Sequence, residues 1–404
     1  MHSPITYAGI DWASRSHAVC VIDADGSAIE RFEVAHTAAG LQALTRRLTA
    51  RQVVGVAIER PDGPLVDALL EAELRVVVIA SRGVKALRTR YGSAGNKDDR
   101  ADAYVLADVL RTDGHRLRPL RPDSPETVAL RALVRARKDL VRTRLRLVQQ
   151  LGAHLERVFP AAVDLFDDLA SPIAVAFLRR FPSAERAAWL SPRRMAGWLA
   201  AQGYSGGRSG AELHARLVAA PAGIGGPEAG PLAAVTLGYV RAIAAVREQA
   251  TLLEARIGEQ LASHPDGHIF TSLPRSGTVR AAALLAEIGD CRARFPTVES
   301  LACLAGAAPS TRQSGQHRVV TFRVACDKKL RDALIDFAAD SRQGNAWAAD
   351  VYGRARARGK RHPHAVRILA RAWLGVIWRC WQDHSAYDPA RHQALQRQLL
   401  EAAA

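Results

Sequence analysis

Cysteine is scarce and scattered in this chain. Cys20, Cys291, Cys303, Cys326 and Cys380 are five in 404 residues, with no C-x-x-C pair among them. An odd number spread over a long chain argues against a disulfide framework and favours a reducing compartment. No apolar run approaches the length that spans a bilayer. The opening stretch "MHSPITYAGID" lacks the basic region and apolar core of a secretory leader. No internal repeat or low-complexity tract stands out. These absences lead to the expectation of a cytoplasmic protein with no membrane partner.

Acid is short relative to base. Lysine and arginine total 56 against 40 aspartate and glutamate, a formal net charge of +16, and the sequence pI is near 10.4. Most of these cations are arginine, whose forked guanidinium matches phosphate oxygens in two-point geometry. The balance favours a polyanionic partner, nucleic acid above all. At 404 residues the chain also exceeds the usual single domain, so two or three cores are expected.

The first hundred or so residues read as α/β. "ITYAGID" (5–11), "HAVCVID" (17–23) and 28–34 are β-rich runs, with the turn "DADG" before the third. A helix near 41–48, a buried strand over 52–59, a helix over 64–73 and a strand over 75–80 follow. Three hairpin-linked strands and then strand–helix alternation predict a mixed sheet of the ribonuclease H type. Past the proline-rich "RPLRPDSPE", the spacing of apolar positions predicts one helix over 126–158 and another over 232–261, able to pair antiparallel. Residues 161–220 look helical but weakly patterned, and the last part, from about 264, reads as mostly helical. There "SLPRSGTVRAAALLAEIG" (272–289) is a tight turn feeding a helix whose N-terminal amides could hold a phosphate.

Two groups of residues carry candidate chemistry. "GNKDDRADAYVLADVLR" (95–111) crowds four aspartates into a basic chain. Asp99 and Asp102 are three apart on an expected helix and share a face, while Asp11 and Glu59 end expected strands. Four hard oxygen donors from strand ends and a nearby helix suit Mg²⁺, or Mn²⁺ in its place, in phosphodiester chemistry. Lys97 and Arg100 would moderate the repulsion. Each acid alone reads more readily as a cap, a turn residue or a surface charge, and it is the four at matching positions that favour a metal. Asp98 cannot face the same site as its neighbour, and Asp108 is expected on the helix surface. Ser314, beside Gly315 with Arg312, His317 and Arg318 close in sequence, could accept a phosphoryl group if deprotonated and charge-neutralised. On its own it is a serine in a loop.

"YAGIDWAS", "AIE", "GNKDDRADAYVLA", "LAGAAPSTRQSG" and "LRDALIDFA" occur in an order that resembles the DEDD-type insertion-sequence transposases, the IS-one-ten family, relatives of the Piv DNA invertases. The resemblance implies an N-terminal RuvC-like nuclease-fold domain over 1–118, a coiled-coil and oligomerisation region over 119–264, and a helical transposase domain over 265–404. It maps an acidic tetrad onto Asp11, Glu59, Asp99 and Asp102, and a catalytic serine onto Ser314. The family signature K-T-D-R-x-D-A stands here with Asp98 in place of threonine, and Asp99 keeps the family's spacing to Asp102. The activity implied by the resemblance is that of a recombinase of mobile DNA. Serine attacks a phosphodiester to form a covalent protein–DNA intermediate, with Mg²⁺ at the tetrad. Dimers or tetramers, a structured guide RNA encoded by the element, and a nucleoid-associated place in the cytoplasm are implied too. An alternative is a metal-dependent junction endonuclease of the Holliday type using the tetrad alone, and a non-enzymatic one is a nucleic-acid-binding scaffold. The turn "LPRSG" and residues 161–230 depart from the family pattern.

Overall fold

A computed structural model describes residues 5–79, 99–315 and 317–393. Contacts divide the chain into two units, Met1–Pro122 and Asp123–Ala404.

The first unit is built on a five-stranded mixed sheet: β1 (Tyr7–Asp11), β2 (Ser16–Ile22), β3 (Ala28–Ala35), β4 (Gly55–Ile58) and β5 (Val76–Val78). Its order is β3-β2-β1-β4-β5. The hairpin partners β1, β2 and β3 run antiparallel, while β4 lies parallel to β1 and β5 parallel to β4. Helices α1 (Ala38–Ala50) and α2 (Pro64–Glu71) cover one face through Leu44, Leu48, Leu65 and Leu69. Helix α3 (Asp99–Asp113) covers the other through Ala103, Leu106, Ala107 and Leu110. A sheet covered on both faces needs no polar alternation, which is why "GVAI" of β4 is buried throughout.

In the second unit, α4 (Pro125–Val158) and α9 (Ala229–Ser263) form a long antiparallel pair. The direction is fixed by their partners. Leu130 and Val134 share a core with Ile257 and Leu261, whereas Leu151 and Leu155 share another with Val240 and Ile243. Ser124 caps α4 with Pro125 in its first turn. Between the long helices, α5 (Pro172–Arg180), α6 (Ala184–Ala187), α7 (Pro192–Ala201) and α8 (Gly210–Ala219) gather round Phe159, Phe166, Phe177, Phe181 and Trp198. This aromatic core explains how a weakly patterned sequence still forms a compact cluster. Beyond α9 come α10 (Gly267–Thr271), α11 (Gly277–Ile288), α12 (Val298–Leu304), an antiparallel hairpin of β6 (Ser310–Ser314) and β7 (His317–Thr321), then α13 (Lys328–Ser341), α14 (Ala346–Ala357) and α15 (His362–Gln382). They surround Trp373, Trp381, Phe337 and Phe270.

Asp123 ties this unit together at its start. Its carboxylate is 2% exposed, accepts from Arg131 and Arg294, and takes the backbone N–H groups of Asp290 and Cys291. Contrary to the expectation from sequence, one segment, Gly226–Ser263, is long and apolar enough to cross a membrane by length and composition, its most apolar 18-residue stretch having mean hydropathy 1.5. The sequence hides it because its large aliphatics come singly or, at Leu252 and Leu253, as a pair, separated by alanine, glycine and polar residues, and form no long apolar run. The large apolar residues Val240, Ile243, Ile257 and Leu261 sit in the two helical cores.

At the start of β2, His17 is fully buried. Its Nδ1 accepts from the Ala13 N–H and its Nε2 lies 2.9 Å from Nδ1 of His36. Burial, and then the neighbouring His36, holds the His17 imidazole below its ordinary value. The unfolded chain therefore takes up a proton that the folded unit resists once pH falls below about 6.5. This contribution to stability is whole above that pH and is lost progressively as pH falls toward the depressed folded value. Urea unfolding at pH values from about 7 to 5 should show a steeper loss in the wild type than in His17→Gln, and equal slopes would remove the buried histidine as a source of this pH dependence.

Candidate metal centre and nucleophile

Three of the four expected carboxylates meet. Asp11, Asp99 and Asp102 each bring a side-chain oxygen within 4.8 Å of the others. Asp11 is half-buried at the end of β1, Asp99 is exposed in the first turn of α3, and Asp102 is 3% exposed one turn on. Glu59 is not in that group. It comes directly after β4, and because Ile10 pairs with Ile58 in parallel register, Asp11 and Glu59 occupy corresponding positions at the ends of adjacent strands. The carboxyl ends of parallel strands are a common location for ligands in α/β folds. Lys97 and Asp98 lie outside the described residues.

Gly9 decides how close α3 can come. A Cβ at this position would lie 2.0 Å from the Ala103 carbonyl oxygen and 2.5 Å from the Ala107 nitrogen. The helix backbone thus rests on the strand backbone, and only glycine permits it. That contact carries Asp99 and Asp102 to Asp11. Helix α3 is also fastened to the β2–β3 turn, where the Tyr104 hydroxyl donates to the Gly26 carbonyl at 3.0 Å and Arg111, in its last turn, donates to the Ala24 carbonyl at 3.1 Å. Asp108, expected on the helix surface, is instead 5% exposed and ion-paired with Arg111 at 2.6 Å. Its position, six residues beyond Asp102, turns it toward this turn rather than toward solvent.

Three carboxylates this close repel. At 4.8 Å, an effective dielectric of 20 gives about 3 kcal/mol per pair. A divalent cation with hard-oxygen preference offsets that cost. The donors fit Mg²⁺ or Mn²⁺ in kind, and oxygens that share one such ion at about 2.1 Å stand at most about 4.2 Å apart, which is compatible with a cluster lying within 4.8 Å. Positive charge lies nearby: Arg60, next to Glu59, stacks 4.4 Å over the Trp12 ring, and Arg100 pairs with Glu33 at 3.3 Å.

Ser314 is in the second unit, and it is not in an irregular loop. It is the last residue of β6, exposed, and directly opposite His317 in the hairpin register. Gly315 next to it adopts a left-handed φ of +55°, which a side chain would strain. Composition alone hides this strand, because "STRQS" is polar throughout and its hairpin stands out from the core.

Residues 8–160, which span all four acids, match a family model described as "Transposase", of the DEDD type named for IS110. Residues 267–353, which include Ser314, match one described as "Transposase IS116/IS110/IS902 family". Across 98% of its length the chain is 32% identical to the IS117 mini-circle putative transposase of Streptomyces coelicolor, covering 98% of that protein. The chain belongs to the IS110/IS116/IS902 family of transposases. It is also 29% identical to the 42 kDa protein of insertion element IS900 from Mycobacterium paratuberculosis, over 96% of this chain and 98% of that one. With the IS110 43.6 kDa protein of Streptomyces coelicolor it shares 32% identity over 72% of each. Transposases bind, cleave and rejoin DNA, and the acidic cluster falls in the DEDD-type domain of this family member.

Gly9 was not among the residues singled out from sequence, although a glycine inside a β-rich run is a signal of close backbone approach. Gly9→Ala should push α3 off β1 without changing any charge. Mn²⁺ titration followed by calorimetry is expected to show affinity weakened about tenfold or more, with about 1–3 kcal/mol lost in folding stability from overpacking. Unchanged Mn²⁺ affinity would separate the helix contact from the carboxylate cluster.

Proposed function

We propose that this family member is a DNA recombinase that cuts and rejoins the ends of a mobile element through a covalent serine–DNA intermediate. The observation that carries the reading is the convergence of Asp11, Asp99 and Asp102 inside a DEDD-type domain, in a chain whose second family-matched segment exposes Ser314 at a hairpin tip. Asp11, Asp99 and Asp102, with Glu59 at the neighbouring strand end, would hold Mg²⁺, which when bound polarises a phosphate and steadies the entering and leaving oxygens. The fold of this domain is read as RuvC-like, with the helix pair serving oligomerisation and the remaining helices serving as the transposase domain.

Ser314 Oγ attacks phosphorus, forming an Oγ–P bond as a P–O bond to deoxyribose breaks. The serine proton passes to a base, for which His317, its cross-strand partner, is the titratable group at hand. The departing deoxyribose oxygen takes up a proton and keeps a free hydroxyl. Rejoining reverses these steps with a different DNA end, so the energy of the phosphodiester is conserved. A homo-oligomer, dimer or tetramer, brings both groups of residues to the same DNA, and an element-encoded RNA selects it. A net charge of +16 suits both polyanions.

The test uses the full-length protein with the RNA transcribed from the element's flanks, DNA carrying its native element ends and Mg²⁺, resolved on a denaturing gel. Wild type should yield a protein–DNA adduct. Ser314→Ala should yield none, and Asp102→Asn should form it at a rate lower by on the order of a hundredfold or more. DNA cutting by Ser314→Ala at the wild-type rate would replace this reading with an endonuclease that uses the acidic residues and water.

A further inference from the structure

Two stretches of the second unit carry no acid at all. Residues 300–326 contain Arg312, Arg318 and Arg323 without an aspartate or glutamate, and residues 351–382 contain eight arginines or lysines without one. The fold brings these stretches together. Phe322, just past β7, packs its ring edge-on against His364 at 5.2 Å, and Arg367 stacks 4.1 Å over the same ring. The Ser314 hairpin therefore stands beside the turn between α14 and α15, "RARARGKRH".

That turn is electrically unfinished. Ion pairs in its neighbourhood use Arg354 with Asp350, Arg371 with Glu299 and Arg379 with Asp383. They leave Arg356, Arg358, Lys360 and Arg361, all exposed, without a carboxylate among the described residues. These cations crowd the N-terminus of the 21-residue helix α15, whose N-cap, Arg361, makes no capping side-chain bond. A helix N-terminus is already the positive end of the macrodipole and favours anions. Packing basic side chains there costs stability in the free protein, and a run of phosphates reverses the sign of that cost.

We propose that Arg356, Arg358, Lys360 and Arg361, continued by Arg318 on the hairpin, form a phosphate track for the DNA duplex flanking the bond that Ser314 attacks. The inference rests on the proposed role of Ser314, which is what selects DNA as the occupant. The spacing sets where it grips. Ser314 stands four residues beyond Ser310, about 14 Å at about 3.4 Å per strand residue. With duplex DNA rising about 3.4 Å per step, the turn reaches phosphates about four steps from the attacked one.

The experiment measures binding alone, so it does not depend on the chemistry. Full-length protein in a Ser314→Ala background is titrated with a fluorescent DNA duplex over a series of salt concentrations. Arg358→Gln/Lys360→Gln/Arg361→Gln should make the plot of log affinity against log salt shallower by about 2.7, three phosphates' worth. Arg358→Lys/Arg361→Lys should keep the wild-type slope. A control triple on α5 and α7, Arg179→Gln/Arg180→Gln/Arg193→Gln, should also keep it. An unchanged slope in the first triple, an equal fall in the control, or a fall seen with an RNA duplex and not with DNA would each overturn the proposal. A missing adduct in the denaturing-gel test would instead count against the serine chemistry, leaving the slope comparison intact.

Discussion

The contact between Gly9 and the backbone of α3 is the constraint on which the candidate metal centre depends. A strand and a helix usually keep a layer of side chains between them, and here that layer is missing at one point. Because Ala103 and Ala107 are small and Gly9 has no side chain, the helix settles onto the central strand of the sheet. Its first turn then projects two carboxylates toward the end of β1. The helix is also held by Tyr104, beside that contact, and by Arg111 in its last turn, both bonded to the β2–β3 turn. These contacts hold the helix in register with β1, keeping Asp99 and Asp102 beside Asp11.

Much of the first unit was legible from the sequence because its strands are rich in β-branched residues and its hairpins carry recognisable turns. Both faces of the sheet are covered, so β1, β2 and β4 read as nearly continuous apolar runs, and their ends marked Asp11 and Glu59 as strand-end acids. Asp99 and Asp102 could be placed on one helix face from spacing alone. That Glu59 is not part of their 4.8 Å cluster could not, since adjacent parallel strands fix the backbone positions of two residues and leave their side chains to local packing. The burial of Asp108 is hidden for a related reason: helical spacing says that it points away from Asp102, but not that the β2–β3 turn lies there.

In the second unit the long helices announced themselves through apolar residues at intervals of three and four. The cluster between them did not, because its core is a set of aromatic contacts between short helices, each too brief to show a period. The hairpin bearing Ser314 was hidden most completely. It is exposed and polar at its tip, held by backbone pairing and by the Phe322 anchor at its base, and neither leaves a periodic trace. Charge was the more informative signal there: the absence of acid through both stretches that meet around Phe322 is plain in the sequence, and only the fold shows that they are neighbours.

The most direct measurement is a crystal of the full-length protein soaked in Mn²⁺, with anomalous scattering used to locate the ion. A single strong peak is expected in the first unit, bonded to oxygens of Asp11, Asp99 and Asp102. An ordered ion held elsewhere in that unit, or no peak beside these three carboxylates at Mn²⁺ concentrations that support DNA cleavage, would contradict the proposed centre.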